Sequence, residues 1–149
     1  MRKKKIYLAG PFFKENEREN IKKFAETLRK EYEVFVPMEH FVENGEKMPN
    51  LLWGEKVFEI DKKGIDECDM VIALDYGFTS DAGTAWEVGY AYGLGASVFV
   101  VSMAKKIGLH SLMLVNGNTR FFSSFSSLME FLHSDKNGQE NLEGKIMVK

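Results

Sequence analysis

The chain has 149 residues, a length that suits one domain, and its 44% hydrophobic and 28% charged residues are typical of a globular protein. The formal net charge of −2 excludes a basic field that would favour nucleic acid or an anionic membrane surface. The single cysteine fits a reducing compartment, and with neither a signal peptide nor an apolar run near the roughly 20 residues of a membrane span, we expect a cytoplasmic protein.

The first half of the chain alternates between short apolar runs and amphipathic segments. Ile6–Ala9 predicts a buried strand that ends at Gly10-Pro11, and residues 16–32 predict a helix with apolar side chains at helical spacing. Glu33–Pro37 predicts a second strand. The polar stretch over residues 39–49 is long for a loop inside a compact domain, and such loops are often binding loops.

The second half continues the alternation. Leu51–Glu67 predicts a helix with Leu52, Val57, Ile60 and Gly64 facing inward, and Met70–Leu74 and Ser97–Val101 predict the third and fourth strands. Residues 107–115 are ambiguous, and we interpret them as a loop and short helix that lead into a last strand. Residues 124–133 predict a closing amphipathic helix.

This order of elements predicts an α/β fold. Strands that alternate with helices form parallel βαβ units, which assemble into a doubly wound sheet with helices on both faces. We assign residues 1–133 to one domain and residues 134–149 to a C-terminal tail. The tail is polar until Ile146–Val148, and this apolar run is expected to dock on a neighbouring subunit.

The stretch Asp81–Gly95 organises the rest of the chain. It follows the third strand and a loop, and it precedes the fourth strand, so its helix begins at the carboxyl end of the sheet. Open α/β sheets bind their ligands at that end. Glu87 lies one to two turns into this helix on a stretch of small residues, which is a suitable place for a reacting carboxylate.

Several common motifs are missing. The turn after the first strand, Gly10–Phe13, matches neither a dinucleotide-binding glycine motif nor a phosphate-binding loop, and no G-x-S-x-G elbow occurs. The three histidines and the cysteine are scattered, so we expect neither a metal site nor a cofactor. The remaining candidates are carboxylates and one tyrosine at the end of the first strand: Asp61, Asp75, Asp81, Glu87 and Tyr7.

A glutamate nucleophile beside a second carboxylic acid suits cleavage of a glycosidic bond. The transition state resembles an oxocarbenium ion, which a carboxylate can stabilise or trap, while the second acid protonates the leaving group. Tyr7 can hold the nucleophile by a hydrogen bond. Phe12, Phe13 and Trp53 can stack on a flat base, although each of these aromatic residues also suits a core position.

Three motifs together resemble the nucleoside 2-deoxyribosyltransferases. They are Tyr7-Leu8-Ala9-Gly10-Pro11-Phe12, Asp61 with Gly64-Ile65, and Asp81-x-Gly-Thr-Ala-x-Glu87-x-Gly-Tyr-Ala. The resemblance covers about residues 5–115. It implies a flavodoxin-like sheet of five parallel strands and a homo-oligomer whose subunits share active sites.

The resemblance also implies roles for individual residues. Glu87 would attack C1′ of a 2′-deoxynucleoside, and a free nucleobase would then resolve the deoxyribosyl-enzyme. Tyr7 would orient Glu87, Asp61 would exchange a proton with the base, and Asp81 would bind the 5′-hydroxyl of the sugar. The further substrate-binding positions that it implies are Gly10, Phe12, Gly83 and Ser111.

The sequence departs from the family at one segment. Where the family often has Asn-Leu-Met, supplied by the neighbouring subunit, this chain has Ser111-Leu112-Met113. A serine there is similar to the related 2′-deoxynucleoside 5′-monophosphate N-glycosidases, but those enzymes typically have Ser where this chain has Asp81. A carboxylate facing the 5′ position would repel a phosphate dianion and accept a hydrogen bond from a hydroxyl, so we expect a nucleoside substrate.

The sequence leaves two alternative functions open. In an N-glycosidase, water would replace the acceptor base at the same glycosyl-enzyme. In a receiver-type signalling domain, Asp75 would be the phosphorylation site, but such domains need an acidic pair after the first strand, where this chain has Ala9-Gly10-Pro11. Base recognition is expected near Met38–His40, and the choice between purine and pyrimidine stays open.

Overall fold

The computed structural model describes residues 2–77, 80–104, 109–134 and the backbone of residues 147–148. In chain order the elements are β1 (Lys5–Ala9), α1 (Glu15–Leu28), β2 (Glu33–Phe35), α2 (Asn50–Asp66), β3 (Met70–Asp75), α3 (Ala82–Gly93), β4 (Ser97–Ser102), β5 (Leu109–His110), α4 (Leu112–Asn116), β6 (Arg120–Phe122), α5 (Phe125–His133) and β7 (Met147–Val148). Within these ranges no helix is both long and apolar enough to cross a bilayer.

The main sheet has five parallel strands in the order β2-β1-β3-β4-β6, so the short strands β2 and β6 form its edges. This is the flavodoxin-like order, and the predicted fold class is confirmed. The strand expected after residue 115 is β6, and the ambiguous segment before it contains β5 and α4. All six residues of the central strand β3 are buried, as expected when helices cover both faces.

Alternate residues of each strand face opposite sides of the sheet and build two cores. On one side, Ile6 and Leu8 of β1 pack in a cluster that includes residues of α1 and α5. On the other side, Tyr7 and Ala9 pack in a cluster with Ile65 of α2 and with residues of α3 and α4. This alternation aims Tyr7 at the helices α2 and α3.

Helix α2 packs on the sheet through its C-terminal half. Gly64 and Ile65 are buried, and a Cβ atom at Gly64 would lie 3.0 Å from the Phe35 ring, so the glycine allows this close approach. The prediction that Leu52 faces inward is wrong, because 40% of this side chain is exposed. The residues in the N-terminal half of α2 are exposed or half-buried.

The C-terminal end of the described backbone lies against its own chain. Strand β7 pairs in parallel with β5, with Leu109 opposite Met147 and His110 opposite Val148. The sequence led us to expect that Ile146–Val148 docks on a neighbouring subunit, whereas this pairing is within one chain. Ile146 lies outside the described residues, and the division into a domain of residues 1–133 and a tail stays a prediction.

Candidate active site

Helix α3 begins at the carboxyl end of the sheet because Asp81 caps it. The Asp81 carboxylate accepts hydrogen bonds from the backbone N–H and the hydroxyl of Thr84, both at 2.8 Å. An aspartate in extended conformation before a helix satisfies one of the free N–H groups of the first turn. The cap therefore fixes where the helix starts, and Glu87 follows on the second turn.

The Tyr7 hydroxyl donates a hydrogen bond to Oε2 of Glu87. Tyr7 is fully buried, and burial raises its pKa well above the ordinary range, so the phenol remains a donor. Burial is also the main cause that raises the pKa of Glu87 to about 7; the nearby charges of Asp61 and Asp81 add to this effect, and the bond from Tyr7 opposes it. Glu87 is thus a partly desolvated carboxyl held in one orientation.

A cavity of about 380 Å³ joins Glu87 to Asp61. Burial raises the pKa of the Asp61 carboxyl, and the charge of His40 partly offsets the rise. The other lining residues are Trp53, Gly54, Val57, Phe58, Lys62, Ile65, Gly83 and Trp86. Two carboxyl groups against mostly apolar walls, in a cavity of this size, suit a small ligand with a flat apolar part.

The aromatic wall of this cavity was missed in the sequence. Trp86 stacks on Tyr90 with ring centroids 5.1 Å apart, and it meets the edge of Phe58 at 5.2 Å. Of this wall, only Trp53 was singled out from the sequence. The available signal was spacing, because residues 86 and 90 lie four apart on one helix and therefore share a face.

A column of stacked rings links the loop after β2 to the tyrosine beside Glu87. His40 stacks on Phe35 with centroids 4.0 Å apart, and Phe35 stacks on Tyr7 at 5.3 Å. His40, which was considered as a base contact, is therefore a surface residue with one face covered. Its charge reaches Asp61, so the loop and the cavity are electrostatically connected.

Asp81 lines a second cavity, of about 310 Å³. Besides Asp81, it is lined by Pro11, Phe13, Lys14, Asn16, Glu17, Leu74 and Tyr76. Glu17 accepts hydrogen bonds from the backbone N–H groups of Phe13 and Lys14, at 3.1 and 2.9 Å, and so holds the loop after β1 in place. Asp81 therefore lines this second cavity together with residues at the start of α1, and it does not line the cavity of Glu87.

The remaining predicted positions are distributed differently. Gly10 packs under Leu74, where a Cβ atom would lie 3.2 Å from the Leu74 Cβ, and Phe12 stacks on Phe13 at 5.7 Å. Ser111 precedes α4 as its N-terminal cap residue. In the described part of the chain, none of Gly10, Phe12 and Ser111 lines the cavity of Glu87, whereas Gly83 does.

Asp75, the phosphorylation site of the receiver alternative, is not accessible. Only 3% of it is exposed, and its carboxylate is hydrogen-bonded to Nδ1 of His110 at 2.6 Å. A phosphoryl acceptor must be accessible to its phosphoryl donor, and a buried carboxylate that is paired with a histidine is not accessible. The environment of Asp75 therefore speaks against a receiver-type domain.

The family model described as nucleoside 2-deoxyribosyltransferase matches residues 6–128 of the chain. No curated protein matches the chain significantly.

Three solved structures are similar. A 2-deoxyribosyltransferase from Bacillus psychrosaccharolyticus has a TM-score of 0.69 and 30% identity, over 83% of this chain and 89% of that chain. A conserved protein from Enterococcus faecalis V583 has a TM-score of 0.59 and 28% identity, over 66% of this chain and 63% of that chain. The Clostridium botulinum CMP N-glycosidase BcmB, at 19% identity, shares the fold, with a TM-score of 0.61 over 88% of this chain and 100% of that chain.

Proposed function

The chain belongs to the nucleoside 2-deoxyribosyltransferase family, and from this we propose that it moves 2-deoxyribose between nucleobases through a covalent deoxyribosyl-Glu87 intermediate. The observation that carries the proposal is the half-buried Glu87, held by Tyr7 at the wall of a cavity that Asp61 also lines.

In the first half-reaction, an Oε atom of ionised Glu87 forms a bond to C1′ of the donor while the bond from C1′ to the base nitrogen breaks. The electron pair of that bond leaves with the base, and protonated Asp61 gives the base a proton. The raised pKa of the Asp61 carboxyl supports this role, because it keeps the acid protonated at a higher pH than usual. The product is a deoxyribosyl ester of Glu87 and a free base.

In the second half-reaction, a nitrogen of a different base attacks C1′ and the Glu87 carboxylate leaves. Asp61, now ionised, accepts the proton that the incoming base loses. The hydrogen bond from Tyr7 stabilises Glu87 as a leaving carboxylate.

Asp81 supports a nucleoside donor. One of its oxygens is held by Thr84, so the carboxylate has a fixed position at the N-terminus of α3, where it lines the second cavity. The N-terminus of a helix attracts phosphate groups, but at the N-terminus of α3 the Asp81 carboxylate occupies that position. A 5′-hydroxyl can donate to such a group, whereas a 5′-phosphate would meet like charge.

We also propose that the enzyme is a homo-oligomer in which Ser111 and Met113 complete the site of a neighbouring subunit. Helices α2, α3 and α4 cover the same face of the sheet, and all three expose large apolar side chains. These side chains are Leu51, Leu52, Trp53, Phe58, Trp86, Leu112 and Met113, all at least 40% exposed. Exposed apolar surface of this extent typically marks an interaction site.

The first test is an incubation of the protein with 2′-deoxyinosine or thymidine, with and without adenine, followed by chromatography. A new deoxynucleoside that forms only when adenine is present would establish transfer. Free base released at one rate regardless of adenine would instead establish the N-glycosidase, and deoxynucleoside monophosphates would then be tried as substrates.

The covalent step has its own test. Rapid acid quenching with the donor alone, followed by mass spectrometry of peptides, should find one deoxyribosyl group on the peptide that contains Glu87. Glu87→Ala should abolish both the adduct and transfer, while Glu59→Ala, which removes an exposed glutamate from α2, should change neither. Near-normal turnover by Glu87→Ala would show that another residue is the nucleophile.

A further inference from the structure

A hydrogen-bonded chain of three side chains lies apart from the Glu87 cavity. Nδ1 of His110 is 2.6 Å from Oδ2 of Asp75, and Nε2 of His110 is 2.9 Å from Oγ of Ser102. Asp75 and Ser102 are opposite each other in the pairing of β3 with β4, so both point to the same side at the carboxyl end of the sheet. Only 4% of His110 is exposed.

The donors and acceptors of this chain define one arrangement. A carboxylate can only accept, so Nδ1 of His110 carries the hydrogen of the bond to Asp75. When the ring carries no second hydrogen, Nε2 accepts from the Ser102 hydroxyl, and the oxygen of Ser102 accepts the backbone N–H of Ala104 at 3.4 Å. In this arrangement each polar group of the three side chains has a hydrogen-bond partner. The three side chains therefore form a rigid connection between the strands β3, β4 and β5.

His110 is the residue directly before Ser111, and so it locates the start of α4. The carbonyl of Ser111 accepts from the N–H groups of Leu114 and Val115, both at 3.0 Å. The His110 ring also meets the edge of the Phe121 ring, with centroids 5.1 Å apart. The buried imidazole therefore fixes the first turn of α4. In that turn, Met113 is 76% exposed to solvent and Leu112 is 51% exposed.

We propose that Asp75, His110 and Ser102 are positioning residues that fix the positions of Ser111 and Met113. Through Ser111 and Met113 they affect substrate binding in the active site of the neighbouring subunit, which these two residues complete. The proposal rests on the proposed function and its shared sites. A serine, a histidine and an aspartate also form the triad of serine hydrolases. Here, however, Ser102 is the last residue of a regular strand, and its hydroxyl is engaged from both sides.

The first experiment compares Asp75→Asn with the wild type and with His133→Asn. Asparagine keeps the volume of Asp75 but removes its negative charge. The bond to Nδ1 is then weaker if the amide oxygen accepts it, and it is reversed, together with the bond to Ser102, if the amide N–H donates. We expect kcat/KM for the donor to fall by about tenfold to a hundredfold, mainly through KM, since small misplacements cost this much. His133, which pairs with Glu31 on the surface, is the matched control and should behave as wild type.

Ser102 provides a second variant that does not depend on how Asp75→Asn folds. Ser102→Ala removes the hydroxyl and should raise KM, whereas Ser102→Thr keeps a hydroxyl and should restore it. Unchanged kinetics in both Asp75→Asn and Ser102→Ala would overturn the proposal, and so would failure of Ser102→Thr to restore a raised KM.

Mixed oligomers separate positioning from general damage. A subunit with Asp75→Asn keeps its own Glu87, and a subunit with Glu87→Ala keeps an intact α4 segment, so each mixed pair has one whole site. Random pairing of equal amounts should therefore give about a quarter of the wild-type activity. No gain on mixing would mean that Asp75→Asn damages its own site, which contradicts the proposal.

Amide hydrogen exchange reads the positioning without any reaction. Exchange at Leu114 and Val115 should be faster in Asp75→Asn than in the wild type and in His133→Asn. Equal exchange in all three proteins would overturn the proposal. A wild type that transfers no deoxyribose would instead refute the proposed function, and the exchange result would still decide whether these residues position α4.

Discussion

At the scale of single residues, Glu87 combines two opposing requirements. A nucleophile must be ionised, but burial raises the pKa of this carboxyl to about 7, so near neutral pH part of the protein carries it protonated. The hydrogen bond from Tyr7 is the one contact that acts in the other direction. Reactivity at this position therefore depends on a balance between an apolar surrounding and a single donor.

The first prediction concerns the pH dependence of kcat/KM. This parameter should fall as the pH drops through about 7, because the proposed nucleophile of the free enzyme becomes protonated there. Tyr7→Phe removes the hydrogen bond that lowers the pKa of Glu87, so the acidic limb should move to higher pH. Steady-state kinetics from pH 5 to 9 measure the shift, and a limb that stays in place or moves to lower pH would contradict the assigned role of Tyr7.

The second prediction concerns stability. The pKa of Glu87 is higher in the folded protein than its ordinary value of 4.5, so folding favours the protonated carboxyl and the ionised form costs stability above pH 7. The cost declines as the pH falls from 7 towards 4.5 and is absent below 4.5, where both states are protonated. Glu87→Gln should therefore raise the free energy of unfolding at pH 8 by about 1–3 kcal/mol, after allowance for partial exposure.

Urea denaturation at pH 8 and pH 4 checks this difference. The gain from Glu87→Gln should be present at pH 8 and lost at pH 4, while Glu59→Gln should give no gain at either pH. A variant that is less stable than the wild type at pH 8 would show that the carboxylate is well accommodated in the fold.

At the scale of elements, the N-cap residue of helix α3 connects structure to the proposed choice of substrate. Asp81 caps the helix and at the same time presents a carboxylate to the second cavity. Asp81→Ser keeps an oxygen that can cap the helix, whereas Asp81→Ala loses it and should cost about 1 kcal/mol of stability. Both variants should lose activity on nucleosides, and Asp81→Ser should gain activity on 5′-monophosphates.

Parallel assays with a 2′-deoxynucleoside and its 5′-monophosphate, together with thermal unfolding, separate the two roles. Unchanged nucleoside kinetics in Asp81→Ser would show that this carboxylate does not contact the 5′ side. Equal stability of Asp81→Ala and the wild type would show that the cap contributes little to the fold.

The periodicity of apolar residues made the helices and strands predictable. It failed where contacts between residues distant in sequence determine which side chains are buried or paired. The apolar runs from Ile6 and Met70 gave buried strands because each is covered on both faces, and their alternation with helices gave the fold. Leu52 has helical spacing but is 40% exposed, because helical spacing does not show which turns of a helix are covered by the rest of the fold. The pairing of Asp75 with His110 spans 35 positions, and no local pattern carries that information.

The candidate site shows the same division. Placing Glu87 near the carboxyl end of the sheet needed only the order of strand, loop and helix. The geometry brings Glu87 together with Tyr7 and Asp61, two residues that the family resemblance also pointed to, while their catalytic roles stay predictions. The Phe58–Trp86 wall needed the packing of α2 against α3, which the sequence does not express.

At the scale of the whole molecule, the apolar side chains exposed by α2, α3 and α4 predict an oligomer. Met113→Glu places a charge on an apolar side chain of α4 that is 76% exposed, and it should shift the protein towards monomers and reduce transfer. Leu94→Glu is the matched control, since Leu94 is 54% exposed at the other end of α3, away from the carboxyl edge of the sheet. Sedimentation velocity measures the shift, and an unchanged distribution would place the contact elsewhere.

The two strands at the edges of the sheet have a consequence for behaviour at high concentration. With three residues each, β2 and β6 leave few backbone groups for a strand of another molecule to pair with. Ordered fibrils begin when strands of other molecules extend a sheet at its edge. The short edge strands of this sheet give such strands little to pair with. The folded protein should therefore tolerate crowding, and self-association is left to side chains on helices, which can produce closed assemblies of finite size.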